Sequence, residues 1–206
     1  MKIRIRRILL PVLAILAVAC LIELPLMQTT IFGEEIILWD TLFRAILAVP
    51  VLFVFYREDR VFRREKRISI VSAAVFAAAG VCLSLALACG IFNRPELFSG
   101  TSKEEILFVG RVWLQLLVLL IASPLLEELF FRGVLFGRLK ELFPVWIAVF
   151  VSAAVFGLYH ADLRQGLYGF FMGLYLAFAM ERSQTVCLPV LIHVAINGAA
   201  FVLHSV

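Results

Sequence analysis

The chain has 206 residues, of which 63% are hydrophobic and 17% are charged, and its mean hydropathy is +1.03. A soluble domain of this length carries more charge and less aliphatic surface, so the composition argues against a soluble enzyme and predicts a multi-span membrane protein. The net charge of +4 comes with no basic patch interleaved with aromatic residues and no nucleic-acid-binding module, which argues against nucleic acid as a partner.

Seven apolar stretches follow one another along the chain. A helix that crosses a membrane needs about 20 mostly apolar residues, and the stretches are near this length. No long linker or internal repeat interrupts them, so we expect residues 1–206 to form a single all-α transmembrane bundle. The stretches are Ile8–Met27, Ile36–Tyr56, Ile68–Phe92, Glu105–Leu126, Phe143–His160, Gly166–Met180 and Val186–His204.

Basic residues in the connections predict the orientation, because Lys and Arg in short loops stay on the cytoplasmic side. Four basic residues precede the first stretch, and six lie in the connection 57–67. The alternate connections, 28–35, 93–104 and 161–165, hold only three between them. The sequence therefore predicts a cytoplasmic N-terminus and a C-terminus outside.

The second stretch contains two charged residues, Asp40 and Arg44, which are four residues apart. On a helix they face the same side, so we expect them to pair with each other. Glu23, near the end of the first stretch, is expected to extend toward water. No chemistry is assigned to these three residues.

Charged residues next occur where the fourth stretch ends, at Glu127, Glu128 and Arg132. Glu128 precedes Arg132 by four residues, the favourable order for an ion pair within a helix. Glu127 has Phe131 at that spacing and no built-in partner. A carboxylate in an apolar, partly dry setting is suited to act as a general base. We therefore expect Glu127 to be the working carboxylate and Glu128–Arg132 to be a supporting pair.

A plainer interpretation is that both glutamates cap the end of the fourth span. The apolar pattern continues past them, however, through Leu129 to Phe136. A helix from about Trp113 to Gly137 would place Glu127 near its middle. A carboxylate buried in a membrane is a candidate functional residue.

The fifth and seventh stretches contribute two histidines. His160 shares a helix face with Phe156, and His193 shares one with Asn197, each pair being four residues apart. Neutral imidazole can take a proton, hold a water or bind a metal. The Asn197 amide can donate a hydrogen bond to a developing oxyanion.

Simple alternation of spans places these residues at different depths. A straight helix over Phe143–His160 would reach about 27 Å, nearly the thickness of the hydrocarbon layer, and carry His160 to the outer side. Glu127 and His193 would lie nearer the middle or the cytoplasmic side. For the three to meet, the fifth span must start deeper or tilt, or the connection Asp162–Gln165 must be submerged around a wet cavity.

The three patterns together resemble the CAAX protease and bacteriocin-processing (CPBP, or Abi) family of intramembrane proteases. Its motifs are Glu-Glu-x3-Arg, Phe-x3-His and His-x3-Asn/Asp, and the resemblance covers roughly residues 123–206. The matching residues are Glu127, Glu128, Arg132, Phe156, His160, His193 and Asn197.

The resemblance implies an endopeptidase that cuts within or beside the bilayer. Glu127 with His160 would hold and deprotonate the attacking water, and His193 with Asn197 would stabilise the oxyanion. Glu128, Arg132 and Phe156 would support them. The substrate would be a peptide or protein, which in type II prenyl endopeptidases is lipidated. Because the family has small bacterial members, we expect this protein to lie in a bacterial cytoplasmic membrane. The sequence carries no signal of its oligomeric state.

The resemblance leaves a metal cofactor open. Glu127, His160 and His193 make a credible ligand set for a divalent ion such as zinc. A metal-free mechanism uses the same side chains as base and hydrogen-bond donors. The chain lacks a His-Glu-x-x-His helix, the pattern that would point strongly to zinc.

Two other functions compete with proteolysis. A non-catalytic immunity or scaffold protein would use the same polar cluster only to shape a binding cavity in the membrane. A small transporter would use the buried carboxylates and histidines as a proton relay, but the chain shows no inverted repeat.

Overall fold

The computed structural model describes residues 2–64, 66–90, 108–160 and 162–205. This part of the chain is helical and contains no strand, which confirms the all-α prediction. The helices are α1 (Lys2–Leu26), α2 (Ile36–Glu58), α3 (Ile70–Cys89), α4 (Val112–Leu139), α5 (Val145–Tyr159), α6 (Leu163–Ser183) and α7 (Cys187–Ser205).

Five of these helices are long and apolar enough to cross a membrane, counted over the described ranges: α1, α2, α3, α4 and α7. The helix α5 is apolar but has only 15 residues. The helix α6 has 21 residues, but polar side chains lie near both of its ends. The predicted third and fourth stretches also included residues 91, 92 and 105–107, which lie outside the described residues.

The central helix of the bundle is α4. In α4, 56% of the most apolar stretch is buried inside the bundle, whereas only 6% of the corresponding stretch is buried in α1 and in α3. It begins at Val112 rather than near Glu105, and it continues to Leu139, which confirms the expectation that Glu127 lies well inside a helix. The end of the fourth span predicted at Leu126 was therefore wrong, because the apolar residues after the two glutamates extend the helix.

Two π-helical segments interrupt α4, at Val118–Ala122 and Leu129–Phe136. Between them Ser123–Glu128 is ordinary α-helix. Segments of π-helix inside α-helices are frequent at functional sites, since the wider turn changes which side chains share a face. The glutamate pair therefore lies at the junction between the α-helical segment and the second π-helical segment.

Ion pairs mark the two ends of the bundle. At the start of α4, Arg111 pairs with Glu35. Near its last residues, the buried Arg138 lies 2.7 Å from Asp59. The two ends of the bundle are named after these arginines, as the Arg111 end and the Arg138 end.

The helix α5 ends beside the middle of α4. Ser152 Oγ donates a hydrogen bond to the Phe131 carbonyl over 3.1 Å. The Phe131 ring lies 4.9 Å from that of Phe156 and 5.5 Å from that of Tyr159. Because Phe131 follows Glu127 by one helical turn, the C-terminus of α5 reaches the depth of Glu127.

This depth corrects the simple alternating topology. Fifteen residues of helix extend only about 22 Å, less than the roughly 30 Å of a hydrocarbon layer. His160, which follows α5, therefore lies at the level of the middle of α4 and not at the Arg111 end.

Glycines bring α5 and α6 into close contact. A Cβ atom at Gly157 would lie 2.5 Å from the Gly166 carbonyl oxygen. A Cβ atom at Gly173 would lie 3.1 Å from the Ala153 Cα atom. Gly166 and Gly173 of α6 thus allow the two helices to pack closely, as small residues do at helix–helix contacts.

Candidate active site

The second glutamate of the pair, Glu128, lies at the centre of a fully buried cluster. Its Oε1 atom accepts a hydrogen bond from Arg132 Nη1 over 3.1 Å, which confirms the predicted ion pair. Both side chains are 0% exposed. The Arg132 guanidinium also lies 4.2 Å from the centre of the Phe156 ring and 3.4 Å from the Gly173 carbonyl oxygen. Arg132 therefore joins α4 to α5 and α6.

The same carboxylate oxygen holds His193 of α7. His193 Nδ1 lies 2.7 Å from Glu128 Oε1. A carboxylate only accepts, so Nδ1 carries the proton and donates it. The sequence did not predict this contact, because α7 is 65 residues away along the chain. The orientation of the ring directs its other nitrogen, Nε2, toward Glu127.

Glu127 Oε2 lies 3.9 Å from His193 Nε2, and each side chain is 11% exposed. This distance is too long for a direct hydrogen bond. A single oxygen atom about 2.8 Å from each of the two atoms would bridge them with an angle of roughly 90° at that oxygen. Glu127 and His193 can therefore act together on a water or on a substrate carbonyl.

A serine that the sequence analysis did not select fixes the first glutamate. Ser123 Oγ donates a hydrogen bond to Glu127 Oε1, four residues later on the same helix. The sequence did contain a signal for this contact, because a serine four residues before a glutamate lies on the same face of a helix. Because Oε1 is occupied, Oε2 is the oxygen that faces His193.

His160 approaches the site from the end of α5. Its Nδ1 atom lies 2.9 Å from the Phe156 carbonyl oxygen, so Nδ1 donates and Nε2 is left as an acceptor. The Phe156 ring lies 4.9 Å from the His160 ring and 6.3 Å from the His193 ring. The Phe156 ring thus contacts both imidazoles, and His160 makes no ion pair with a carboxylate within the described residues.

The candidate metal ligands do not form a set. Over the described ranges, no three His, Cys, Asp or Glu side chains are grouped closely enough to hold a metal ion. Glu127 and His193 approach each other, but the Nδ1 atoms of both histidines are already engaged, that of His193 by Glu128 and that of His160 by the Phe156 carbonyl. The arrangement of the described residues does not fit a zinc site built from Glu127, His160 and His193.

Asn197 has a structural partner. Its amide Nδ2 donates to the Leu119 carbonyl over 2.8 Å. In the π-helical segment each carbonyl bonds to the N–H five residues later, as the Val118 carbonyl does to the Ser123 N–H. The same register would pair the Leu119 carbonyl with the N–H of residue 124. That residue is Pro124, which has no N–H. Asn197 therefore satisfies a carbonyl that the helix itself leaves without a donor, and one of its N–H groups remains for chemistry.

Comparison with known proteins agrees with the motif pattern. Residues 104–199 match the family model described as Type II CAAX prenyl endopeptidase Rce1-like. This range contains all three motifs. The predicted resemblance to these intramembrane peptidases is confirmed.

Two curated bacterial proteins are similar to the chain. "Putative membrane peptidase YdiL" of Bacillus subtilis (strain 168) is 29% identical over 168 residues, which cover 78% of this chain and 68% of the relative. "Membrane-embedded CAAX protease MroQ" of Staphylococcus aureus (strain USA300) is 29% identical over 114 residues, covering 52% of this chain and 46% of the relative. No solved structure gives a significant match.

Proposed function

We propose that this protein is an intramembrane endopeptidase in which Glu127 activates the water that attacks a peptide bond. The observation that carries the proposal is the convergence of Glu127 Oε2 and His193 Nε2, 3.9 Å apart, inside a helix bundle that is apolar enough to cross a membrane. The match of residues 104–199 to a prenyl endopeptidase family supports it.

The reaction begins with the proton that Glu127 takes from the water. The water oxygen bonds to the carbonyl carbon, and the carbonyl electrons move onto the carbonyl oxygen. His160, whose Nε2 atom is a free acceptor, is proposed to hold the water with Glu127. His193, which enters the reaction as an imidazolium protonated on both nitrogens, and the second N–H of Asn197 stabilise the oxyanion. When the C–N bond breaks, the leaving nitrogen takes the proton from Glu127.

The supporting residues keep this geometry fixed. Glu128 orients His193, and Arg132 balances the Glu128 charge within an ion pair whose two side chains are 0% exposed. Ser123 orients Glu127. Pre-organised groups of this kind lower the barrier because they need not reorganise during the reaction.

We propose that the substrate is a peptide or protein whose scissile bond enters the bilayer, as a lipidated C-terminus would. The test uses two quenched-fluorescent peptides that end in Cys and three further residues, one farnesylated on that Cys and one not. Wild-type protein in proteoliposomes is expected to release the C-terminal tripeptide from the farnesylated peptide. Cleavage of both peptides at equal rates would contradict a requirement for the lipid.

A non-catalytic scaffold is the main competitor, because Glu128 and Asn197 have structural partners inside the bundle. The two functions differ in their response to Glu127→Gln. A scaffold keeps its cellular phenotype with this substitution, whereas a peptidase loses it while the protein remains in the membrane.

We propose a bacterial cytoplasmic membrane with the Arg138 end on the cytoplasmic side, as the basic residues of the N-terminus and of the connection 57–67 predict. Fusions of green fluorescent protein and of alkaline phosphatase to the C-terminus test the orientation. Only the phosphatase fusion is expected to be active.

A further inference from the structure

The Arg138 end of the bundle carries exposed positive charge that the proposed peptidase site does not use. Basic side chains are exposed near the start of α1, in the connection 57–67 and at the end of α6. Among the described residues of this end, Glu58 is the exposed acidic side chain. We call this set of basic side chains the basic surface, and its members are Arg6, Arg57, Arg64, Lys66, Arg67 and Arg182.

The less exposed acidic side chains of this end are paired with other basic residues. Asp59 and Glu141 both form ion pairs with Arg7. Glu181 of α6 lies 2.6 Å from Lys140. These three acids therefore neutralise residues outside the basic surface, and the basic surface keeps a net positive charge.

Contacts with the bundle hold the connection 57–67 in place. The Lys66 N–H donates a hydrogen bond to the Ser183 carbonyl over 3.0 Å, at the end of α6. The Arg63 guanidinium lies 3.6 Å from the centre of the Tyr56 ring and donates to the Tyr56 carbonyl. The charges that this connection carries are therefore presented from a fixed position beside the helix ends.

The Arg111 end has a different charge balance. Arg111 Nε lies 2.9 Å from one carboxylate oxygen of Glu35 and 3.0 Å from the other, so the two charges cancel. The neighbouring Glu34 is exposed. Over the part of the chain that the structure describes, the excess of exposed positive charge is therefore found at the Arg138 end.

Exposed aromatic side chains indicate the depth of the basic surface in the membrane. Phe143, just before α5, is 43% exposed, and Trp146, in the first turn of α5, is 72% exposed. Both follow closely on Leu139, the last residue of α4, at the Arg138 end. Tryptophan is enriched where the hydrocarbon layer meets the lipid headgroups. We therefore expect the basic surface to lie at the level of the headgroups.

We propose that the basic surface binds anionic phospholipids, whose phosphate groups contact Arg57, Arg64 and Arg67. A guanidinium group presents a planar fork of N–H donors that matches the oxygen atoms of a phosphate. Each Lys or Arg near a membrane surface strengthens the attraction to anionic lipids roughly fivefold. Phosphatidylcholine has no net charge and gains no such attraction. This binding goes beyond the peptidase function and does not depend on it.

The test measures which phospholipids stay bound to the protein in detergent micelles that contain equal amounts of phosphatidylglycerol and phosphatidylcholine. Native mass spectrometry gives the ratio of the two bound lipids. Wild type is expected to prefer phosphatidylglycerol by roughly fivefold or more. The triple variant Arg57→Gln/Arg64→Gln/Arg67→Gln is expected to lose most of this preference. The matched control replaces the same three residues with Lys, which retains the charge, and is expected to keep most of it.

Two results with these proteins would overturn the proposal. One is equal binding of the two lipids by wild type, and the other is an undiminished preference in the triple Gln variant. Displacement of phosphatidylglycerol by inorganic phosphate, but not by acetate of the same ionic strength, would also overturn it and assign the surface to a soluble anion.

Salt provides a second measurement on wild type that needs no substitution. The preference for phosphatidylglycerol is expected to fall as the salt concentration rises, because dissolved ions screen exposed charges. A preference that high salt leaves unchanged would contradict recognition by exposed basic side chains. Circular dichroism of the two triple variants checks that both keep the helical fold.

Discussion

Glu128 and His193 are joined by a 2.7 Å hydrogen bond between Oε1 and Nδ1, across two helices that are far apart in sequence. Because of this bond, the two adjacent glutamates have different roles. Glu128 is enclosed with Arg132 and orients the imidazole, whereas Glu127 keeps one oxygen directed at the other side of the same ring. The reactive carboxylate and the structural carboxylate are therefore adjacent residues with different surroundings.

These different surroundings predict different effects of two conservative substitutions on stability. Glu128→Gln leaves the buried Arg132 charge without its partner, which costs about 3 kcal/mol of stability. Glu127→Gln changes a residue that makes no buried ion pair with Arg or Lys, and it is expected to unfold near the wild-type temperature. Thermal unfolding in detergent micelles, followed by circular dichroism, measures both.

A double substitution checks the cause of that loss. Glu128→Gln with Arg132→Met removes both charges and is expected to recover most of the lost stability, since the uncompensated charge is gone. A double variant that unfolds as early as Glu128→Gln alone would show that the ion pair is not what stabilises the cluster.

The contact between Asn197 and the Leu119 carbonyl predicts a coupling between Asn197 and Pro124, because Pro124 lacks the backbone N–H that the asparagine replaces. Asn197→Leu leaves the Leu119 carbonyl without a donor and is expected to cost about 1–3 kcal/mol. Adding Pro124→Ala returns a backbone N–H to the helix and is expected to restore stability. Unfolding temperatures of the two single variants and the double variant measure this coupling.

The same three variants separate structure from chemistry at Asn197. If Asn197 also stabilises the oxyanion, the double variant Pro124→Ala/Asn197→Leu will be stable and still impaired in cleavage. Full recovery of cleavage together with stability would assign Asn197 a structural role alone.

The α5–α6 contact predicts a sharp difference between two glycines. Alanine at Gly157 would place its Cβ 2.5 Å from the Gly166 carbonyl oxygen, so Gly157→Ala is expected to destabilise the protein by about 1–3 kcal/mol. The control is Gly137→Ala, where a Cβ meets nothing within 4 Å and a helical alanine is favoured by about 0.5–1 kcal/mol. Equal unfolding temperatures for the two variants would contradict the close packing of α5 on α6.

The positions of the candidate ligands predict the response to chelators. Because no three His, Cys, Asp or Glu side chains of the described residues are grouped to hold a metal ion, we expect cleavage in proteoliposomes to persist after treatment with EDTA and 1,10-phenanthroline. The control is a zinc peptidase assayed in the same vesicles. Loss of activity that added Zn²⁺ restores would show that the side chains rearrange to bind metal.

Local patterns predicted much of this site. Spacing by four residues predicted the Glu128–Arg132 pair and the Asp40–Arg44 pair, because one helical turn places such side chains together. The continuing apolar run after Glu128 predicted a helix that extends past the glutamates. The motifs also selected His193, which the structure brings to both carboxylates.

Other features depend on how helices are placed relative to one another. Helical periodicity defines a face but not a depth, so it did not show that α5 ends beside Glu127. One carboxylate oxygen can accept several hydrogen bonds, so the pairing of Glu128 with Arg132 did not exclude His193. The role of Asn197 followed from a π-helical segment, whose register the sequence pattern does not reveal.

The most direct test of the account is the cleavage rate of Glu127→Gln relative to wild type in proteoliposomes, using the farnesylated fluorescent peptide. Glu34→Gln, which changes an exposed carboxylate near the start of α2, is the control. Glu127→Gln is expected to be folded and inactive, while Glu34→Gln is expected to cleave like wild type. Cleavage by Glu127→Gln at the wild-type rate would contradict the assignment of Glu127 as the base.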